Sequence, residues 1–156
     1  MLELNQAAPN FTLTNHKKEA IELEAQRGKN VVIAFFPAAF TGVCEKEMCT
    51  LRDGLAELNN ADATVLGVSV DGPFSNAAFH AKNDLNFDLL SDHSRAATTA
   101  YGVALENFAG MEGYTAAQRS VFIVDKKGTL VYSWVAPNPG VEPDYDEVKG
   151  TVAKLS

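Results

Sequence analysis

The chain has 156 residues, 46% of them hydrophobic and 21% charged, which is typical of a globular protein large enough to bury a core. Its formal net charge of -7 disfavours nucleic acid and anionic membrane surfaces as partners. The N-terminus lacks the basic start and long apolar run of a signal peptide, and no apolar stretch is long enough to span a membrane. We therefore expect a single domain over residues 1–156 in the cytoplasm, where cysteines are more often reactive or buried than joined in a permanent disulfide.

The first predicted elements are a hairpin and a buried strand. Apolar and polar residues alternate over 11–15 and 20–24, with a polar turn between the two segments. Segment 30–36 is almost wholly apolar and rich in β-branched and aromatic residues, which is typical of a central parallel strand buried on both faces. Pro37 ends this strand because proline cannot donate a hydrogen bond to the sheet.

An amphipathic helix is predicted to follow Pro37. Its apolar residues recur at steps of four, three, four and three, which place them on one face of a helix. They are Cys44, Met48, Leu51, Leu55 and Leu58. Thr41 is a suitable N-cap, so Cys44 would occupy the third position of the helix.

Strands and helices continue to alternate over the rest of the chain. We expect a strand at 63–70, a helix at 73–83, a strand at 87–92, a short helix at 94–102, a hairpin of 119–125 with 129–135, and a closing helix at 143–155. Gly128 lies in the hairpin turn, where a positive φ is needed. This order predicts an α/β fold with a central mixed sheet, flanking helices and an N-terminal β-hairpin, compatible with a thioredoxin-like fold.

The two cysteines, Cys44 and Cys49, are five residues apart. This spacing is wider than that of a CxxC redox pair, and His16, His80 and His93 lie isolated in polar contexts, so a zinc or copper site is disfavoured. On a helix, residues i and i+5 differ by about 140° around the axis, and their Cα atoms are roughly 8–9 Å apart. Because a disulfide needs Cα atoms within about 7 Å, a bond between these cysteines would require the first helical turns to unwind.

A nucleophilic Cys44 would need its thiolate to be stabilised. The free N–H groups and the dipole of the first helical turn favour an anion at this position. The Thr41 hydroxyl, one turn earlier, could donate a hydrogen bond to the sulfur or to a substrate oxygen. Arg52 is close in sequence, but it lies eight residues on, roughly 12 Å along the helix axis. We therefore expect the neighbouring cation to be an arginine from another strand.

The run from Pro37 to Cys44, PAAFTGVC, matches the PxxxTxxC signature of the peroxiredoxins, which are thiol peroxidases of thioredoxin fold. FFPAAFTGVC resembles the one-cysteine E-type alkyl hydroperoxide reductases. CEKEMC resembles the Q-type (bacterioferritin comigratory) peroxiredoxins, whose resolving cysteine lies five residues after the first. The resemblance implies that Cys44 is the peroxidatic thiolate and that Cys49 is the resolving thiol.

The resemblance also implies four supporting residues. Thr41 would form a hydrogen bond with the peroxide, and Pro37 would shield the thiolate from water. Arg119, in the segment QRSVFIVD, would contact the thiolate and the substrate. Glu47 would orient that arginine, although it could instead merely complement the helix dipole.

The implied activity is the reduction of hydrogen peroxide and organic hydroperoxides. Cys44 would pass through a sulfenic acid to a disulfide with Cys49, which a thioredoxin-like dithiol would reduce, and no metal or organic cofactor would be needed. Phe36, Phe40 and Pro37 could form an apolar collar that admits alkyl hydroperoxides. Three alternatives stay open: a one-cysteine peroxidase with an inert Cys49, a disulfide reductase or electron carrier of the same fold, and a non-catalytic or copper-binding thioredoxin-like module. A monomer and a homodimer are both compatible with the sequence.

Overall fold

The structure, a computed structural model, describes residues 2–60 and 62–155, without the side chains of 55–57, 59 and 60. Its strands are β1 (Thr12–Asn15), β2 (Ala20–Glu22), β3 (Asn30–Phe35), β4 (Ala63–Ser69), β5 (Asp88–Ser91), β6 (Ala104–Leu105), β7 (Ala116–Ala117), β8 (Ser120–Val124) and β9 (Leu130–Val135). Its α-helices are α1 (Gly42–Asn60), α2 (Pro73–Lys82), α3 (Ala96–Ala100) and α4 (Tyr145–Lys154), and 3-10 turns lie at Glu24–Gln26 and Phe108–Gly110.

Seven of the strands form one mixed sheet in the order β2-β1-β5-β4-β3-β8-β9. Strand β3 pairs in parallel with β4 and antiparallel with β8, so it lies inside the sheet. All six of its residues are buried, and alternate residues contribute to two hydrophobic clusters on opposite faces. The prediction of a central strand buried on both faces is therefore confirmed.

Helices cover both faces of this sheet. Residues of α1, α2 and α4 join one hydrophobic cluster, and α3 contributes to the cluster on the opposite face. In α1 the predicted stripe is buried at Cys44, Met48, Leu51 and Leu58, whereas the side chain of Leu55 lies outside the described residues. The predicted α/β fold, with a mixed sheet, flanking helices and an N-terminal hairpin, is confirmed. Among the helices of the described ranges, none is long and apolar enough to cross a membrane.

Two features of the fold differ from the sequence predictions. Strands β6 and β7 form a separate two-stranded sheet that was not predicted, because elements of two residues have no periodicity to detect. The expectation that His16 and His80 are isolated is wrong. Their rings stack with centroids 3.8 Å apart, and burial is the largest cause that lowers the pKa of each.

Candidate active site

Cys44 lies in the first turn of α1, directly after the chain leaves β3. The connecting turn includes Phe40, whose φ of 68° is in the left-handed region. The backbone N–H of Ala39 donates to Asp71 Oδ2 at 2.8 Å, which ties this turn to the end of the neighbouring strand β4. Cys44 therefore lies beyond the carboxyl end of an interior strand, and its side chain is fully buried. The sequence pattern did not identify Asp71 because its contact with the turn joins residues 32 positions apart.

Arg119 brings its guanidinium to Cys44 from the residue before β8. Its Nη2 lies 3.2 Å from Cys44 Sγ, and its Nη1 donates to Glu47 Oε1 at 2.7 Å. The Nε and Nη2 groups also donate to the carbonyl oxygen of Pro139 at 3.1 and 3.0 Å. The Arg119 residue is only 1% exposed, so these contacts hold a cation in the protein interior beside the sulfur. Burial lowers the pKa of Arg119, but its interactions with Glu47 and Cys44 together outweigh this effect, and its pKa is raised.

Arg52 does not take part in this cluster. Its Nε donates to Asp53 Oδ1 at 2.9 Å, and its Nη1 donates to the carbonyl oxygen of Asn83 at 2.5 Å. The arginine beside Cys44 is thus Arg119, one residue before β8, and Arg52 is excluded as the helix geometry predicted. The contact of Arg119 with the Pro139 carbonyl was not predicted, because a backbone acceptor cannot be recognised from residue types.

Glu47 is a fully buried carboxylate one turn after Cys44 on α1. Burial raises its pKa to about 7, while the charge of Arg119 opposes that rise and the charge of Glu142 adds to it. Oε1 receives the bond from Arg119, and Oε2 has no hydrogen-bond partner among the described residues. This contact fits a role for Glu47 in holding the Arg119 guanidinium in place, because a buried charge needs a partner of opposite charge.

Thr41 and Pro37 line a cleft of about 260 Å³ that reaches Arg119. The rest of its wall is made by Gly42, Val43, Phe108, Pro139 and Gly140. The Thr41 carbonyl accepts the first bond of α1, from the N–H of Glu45 at 2.9 Å, whereas the Thr41 hydroxyl donates to the carbonyl oxygen of Ala38 at 2.9 Å. Because the hydroxyl proton is donated to Ala38, the Thr41 oxygen can only accept a hydrogen bond from a substrate.

The expected apolar collar is corrected in two of its three members. Phe36 is fully buried and stacks on Phe79 with ring centroids 5.9 Å apart. Phe40 also packs against Phe79, at 5.4 Å, and Lys82 Nζ lies 5.6 Å from the centre of its ring. The aromatic wall of the cleft is instead Phe108, whose 3-10 turn lies between β6 and β7.

Cys49 is the one predicted site residue that lies apart from the others. It is partly buried, and its Sγ lies 3.5 Å from Asn83 Oδ1 at the end of α2. Both cysteines are free thiols, and α1 is continuous across them. The structure therefore brings together the other five predicted residues and turns Cys49 toward a different neighbour. Those five are Pro37, Thr41, Cys44, Glu47 and Arg119.

We expect Glu47→Gln to change how the stability of the protein depends on pH. The pKa of Glu47 is about 7 in the folded protein and 4.5 ordinarily, so the folded state binds more protons than the unfolded chain between these values. The stability contributed by Glu47 is therefore lost as the pH rises through this window, whereas glutamine is neutral throughout. The free energy of unfolding of the wild type, minus that of the variant, should be larger near pH 5 than near pH 8. Urea unfolding at both pH values measures it, and an equal difference would contradict the buried, proton-binding carboxylate.

Comparison with known proteins agrees with this fold and site. The AhpC/TSA family model matches residues 4–133. Alkyl hydroperoxide reductase E of Mycobacterium tuberculosis is 38% identical over 136 residues, which cover 85% of this chain and 85% of that protein. Chloroplastic peroxiredoxin Q of Populus jackii is 37% identical over 130 residues, which cover 82% of this chain and 59% of that protein.

The crystal structure of a peroxiredoxin-like protein from Aquifex aeolicus matches the fold with a TM-score of 0.88 and 28% sequence identity. The match covers 99% of this chain and 88% of the Aquifex chain. Relatives of both the E and Q types are thus found, in agreement with the mixed character of the segment around Cys44. The chain belongs to the AhpC/TSA family and is a peroxiredoxin of thioredoxin-like fold.

Proposed function

We propose that this peroxiredoxin reduces hydrogen peroxide and organic hydroperoxides through Cys44, with Cys49 as its resolving thiol and a thioredoxin-like dithiol as its reductant. The observation that carries the proposal is the Arg119 guanidinium, 3.2 Å from a buried sulfur in the first turn of a helix. A cation and a helix N-terminus both favour a thiolate over a thiol.

In the first step the Cys44 thiolate attacks one peroxide oxygen. An S–O bond forms, the O–O bond breaks, and the leaving oxygen takes a proton and departs as water or an alcohol, so that Cys44 becomes a sulfenic acid. Arg119 and the N–H groups of the first turn stabilise the negative charge that develops on the leaving oxygen. The Thr41 hydroxyl donates to Ala38, so it serves the substrate as an acceptor for the peroxide O–H. Pro37 is buried beside the cleft and limits access of water to the sulfur.

In the second step Cys49 attacks the sulfenic acid of Cys44. The S–S bond forms, the S–O bond breaks, and the hydroxyl group leaves as water. Cys49 faces Asn83 while Cys44 faces Arg119, so the first turns of α1 must unwind before the two sulfurs meet. Exchange with an external dithiol then restores both thiols and leaves the dithiol oxidised.

The walls of the cleft support organic hydroperoxides as substrates. Val43, Phe108 and two prolines supply apolar surface next to the Thr41 hydroxyl and the Arg119 guanidinium. A small hydroperoxide group could reach the polar end while an apolar tail contacts the aromatic wall.

We expect Phe108→Ala to lower kcat/KM for cumene hydroperoxide relative to hydrogen peroxide by about tenfold, because hydrogen peroxide has no apolar tail to lose contact. Stopped-flow measurement of both substrates gives the ratio. Phe74→Ala is the matched control, because Phe74 is 74% exposed on α2 and is not part of the cleft wall. If the ratio of the two kcat/KM values is unchanged in Phe108→Ala, Phe108 does not take part in substrate recognition.

The proposal as a whole is tested by peroxide consumption with reduced thioredoxin as the sole electron donor. We expect turnover with both hydrogen peroxide and cumene hydroperoxide. If Cys49→Ser turns over as well as the wild type, the protein is a one-cysteine peroxidase. Reduction of insulin disulfides without peroxide consumption would instead show a disulfide reductase.

A further inference from the structure

Cys49 lies in a row of polar contacts between α1 and the end of α2. Glu45, Cys49 and Arg52 are spaced by four and three residues, so they share one face of α1. Lys82 Nζ lies 2.7 Å from Glu45 Oε1, Asn83 Oδ1 lies 3.5 Å from Cys49 Sγ, and the Asn83 carbonyl accepts from Arg52 Nη1 at 2.5 Å. We call these five residues the polar seam.

Asn83 fixes the direction of the Cys49 thiol within this seam. Its Nδ2 donates to the carbonyl oxygen of Phe79 at 3.1 Å, so its Oδ1 is the atom that faces the sulfur. Asn83 is also the C-cap of α2, which anchors its backbone. The amide therefore holds the thiol against α2 and away from Cys44, whose sulfur contacts Arg119.

Formation of a Cys44–Cys49 bond would break part of this seam. Unwinding of residues 42–49 separates Lys82 from Glu45 and Asn83 from the thiol. The contact of Arg52 with the Asn83 carbonyl lies beyond the unwound turns and can persist, so it anchors the remainder of α1 to α2. The two contacts of Lys82 and Asn83 thus oppose the rearrangement that resolution needs.

We infer that Lys82 and Asn83 are positioning residues that control how fast Cys49 resolves the oxidised Cys44, and hence how readily Cys44 is overoxidised; this inference rests on the proposed function. The sulfenic acid has two fates. Either Cys49 condenses with it and releases water, or a second peroxide oxidises it to a sulfinic acid and is itself reduced to water or an alcohol. Because the two reactions compete, the contacts of Lys82 and Asn83 slow the condensation with Cys49 and favour oxidation to the sulfinic acid.

The experiment treats the reduced full-length protein with a graded series of hydrogen peroxide and measures intact mass after quenching. The disulfide is lighter than the dithiol by about 2 Da, and the sulfinic acid is heavier by about 32 Da. Lys82→Ala and Asn83→Ala are compared with Lys126→Ala, which removes a similarly exposed ion pair, to Asp62 at 3.2 Å, outside the seam. Lys82→Arg is included because it retains the charge.

We expect Lys82→Ala and Asn83→Ala each to need about twofold to fivefold more peroxide than the wild type for half conversion to the sulfinic acid, since each loses one polar contact that opposes unwinding. Lys126→Ala and Lys82→Arg should match the wild type. If both alanine variants at the seam have the wild-type midpoint, the inference is overturned while the proposed function stands. If the wild type forms neither a disulfide nor a sulfinic acid, both are overturned.

Discussion

Replacement of Cys44 by serine is expected to abolish peroxide reduction, with a loss on the order of a thousandfold or more. A serine hydroxyl beside Arg119 stays protonated at neutral pH and is a poor nucleophile toward oxygen, so neither the S–O bond nor a disulfide can form. Peroxide consumption with excess reductant measures the effect.

Cys49→Ser is the matched control for this variant. It keeps Cys44 beside Arg119 and should still consume one equivalent of peroxide, because the first step does not need the second thiol. Retention of activity by Cys44→Ser, together with loss of the first turnover in Cys49→Ser, would reverse the roles of the two cysteines.

Arg119→Met is expected to damage both activity and stability. Removal of the guanidinium takes away a donor that faces the reacting sulfur, for which a loss in rate of about a hundredfold to a thousandfold is expected. It also leaves Glu47 buried without its partner and removes the charge that opposes the rise of its pKa. The loss in the free energy of unfolding should therefore grow with pH, toward about 3–5 kcal/mol in alkaline solution, where a charged Glu47 has no partner. Stopped-flow kinetics and urea unfolding measure the two effects separately.

A second substitution separates these two effects. Glu47→Gln added to Arg119→Met removes the ionisable carboxyl, so it should restore part of the stability that is lost at alkaline pH. It should not restore activity, because the cation beside Cys44 is still missing. Recovery of the rate in the double variant would mean that Arg119 acts only through the stability of the fold.

The centre of the fold could be predicted because its signals are local. Strand β3 and helix α1 have strong periodicity, and Pro37 marks the boundary between them, so the position of Cys44 at a helix start followed from the sequence. The rise of an α-helix is enough to exclude Arg52 as the neighbour of Cys44. The resemblance to the peroxiredoxins then supplied Arg119, which no local pattern singles out.

The remaining contacts depend on residues far apart in the chain. His16 stacks on His80, and Cys49 meets Asn83 from 34 positions away, although neither pair has a signal in its own segment. Phe36 and Phe40 lie close to Pro37 in the sequence and were expected at the cleft. Instead, Phe36 is buried against Phe79 of α2, and Phe40 packs against the same ring. The wall they were expected to form comes from Phe108, in a short turn without periodicity.

The two-cysteine cycle is tested by the intact mass of the reduced protein after one equivalent of hydrogen peroxide, with and without a sulfenic acid trap. We expect a loss of about 2 Da, no free thiols and little trapping, because Cys49 condenses with oxidised Cys44 inside one chain. A stable trapped adduct on Cys44, with Cys49 still a free thiol, would contradict the two-cysteine cycle.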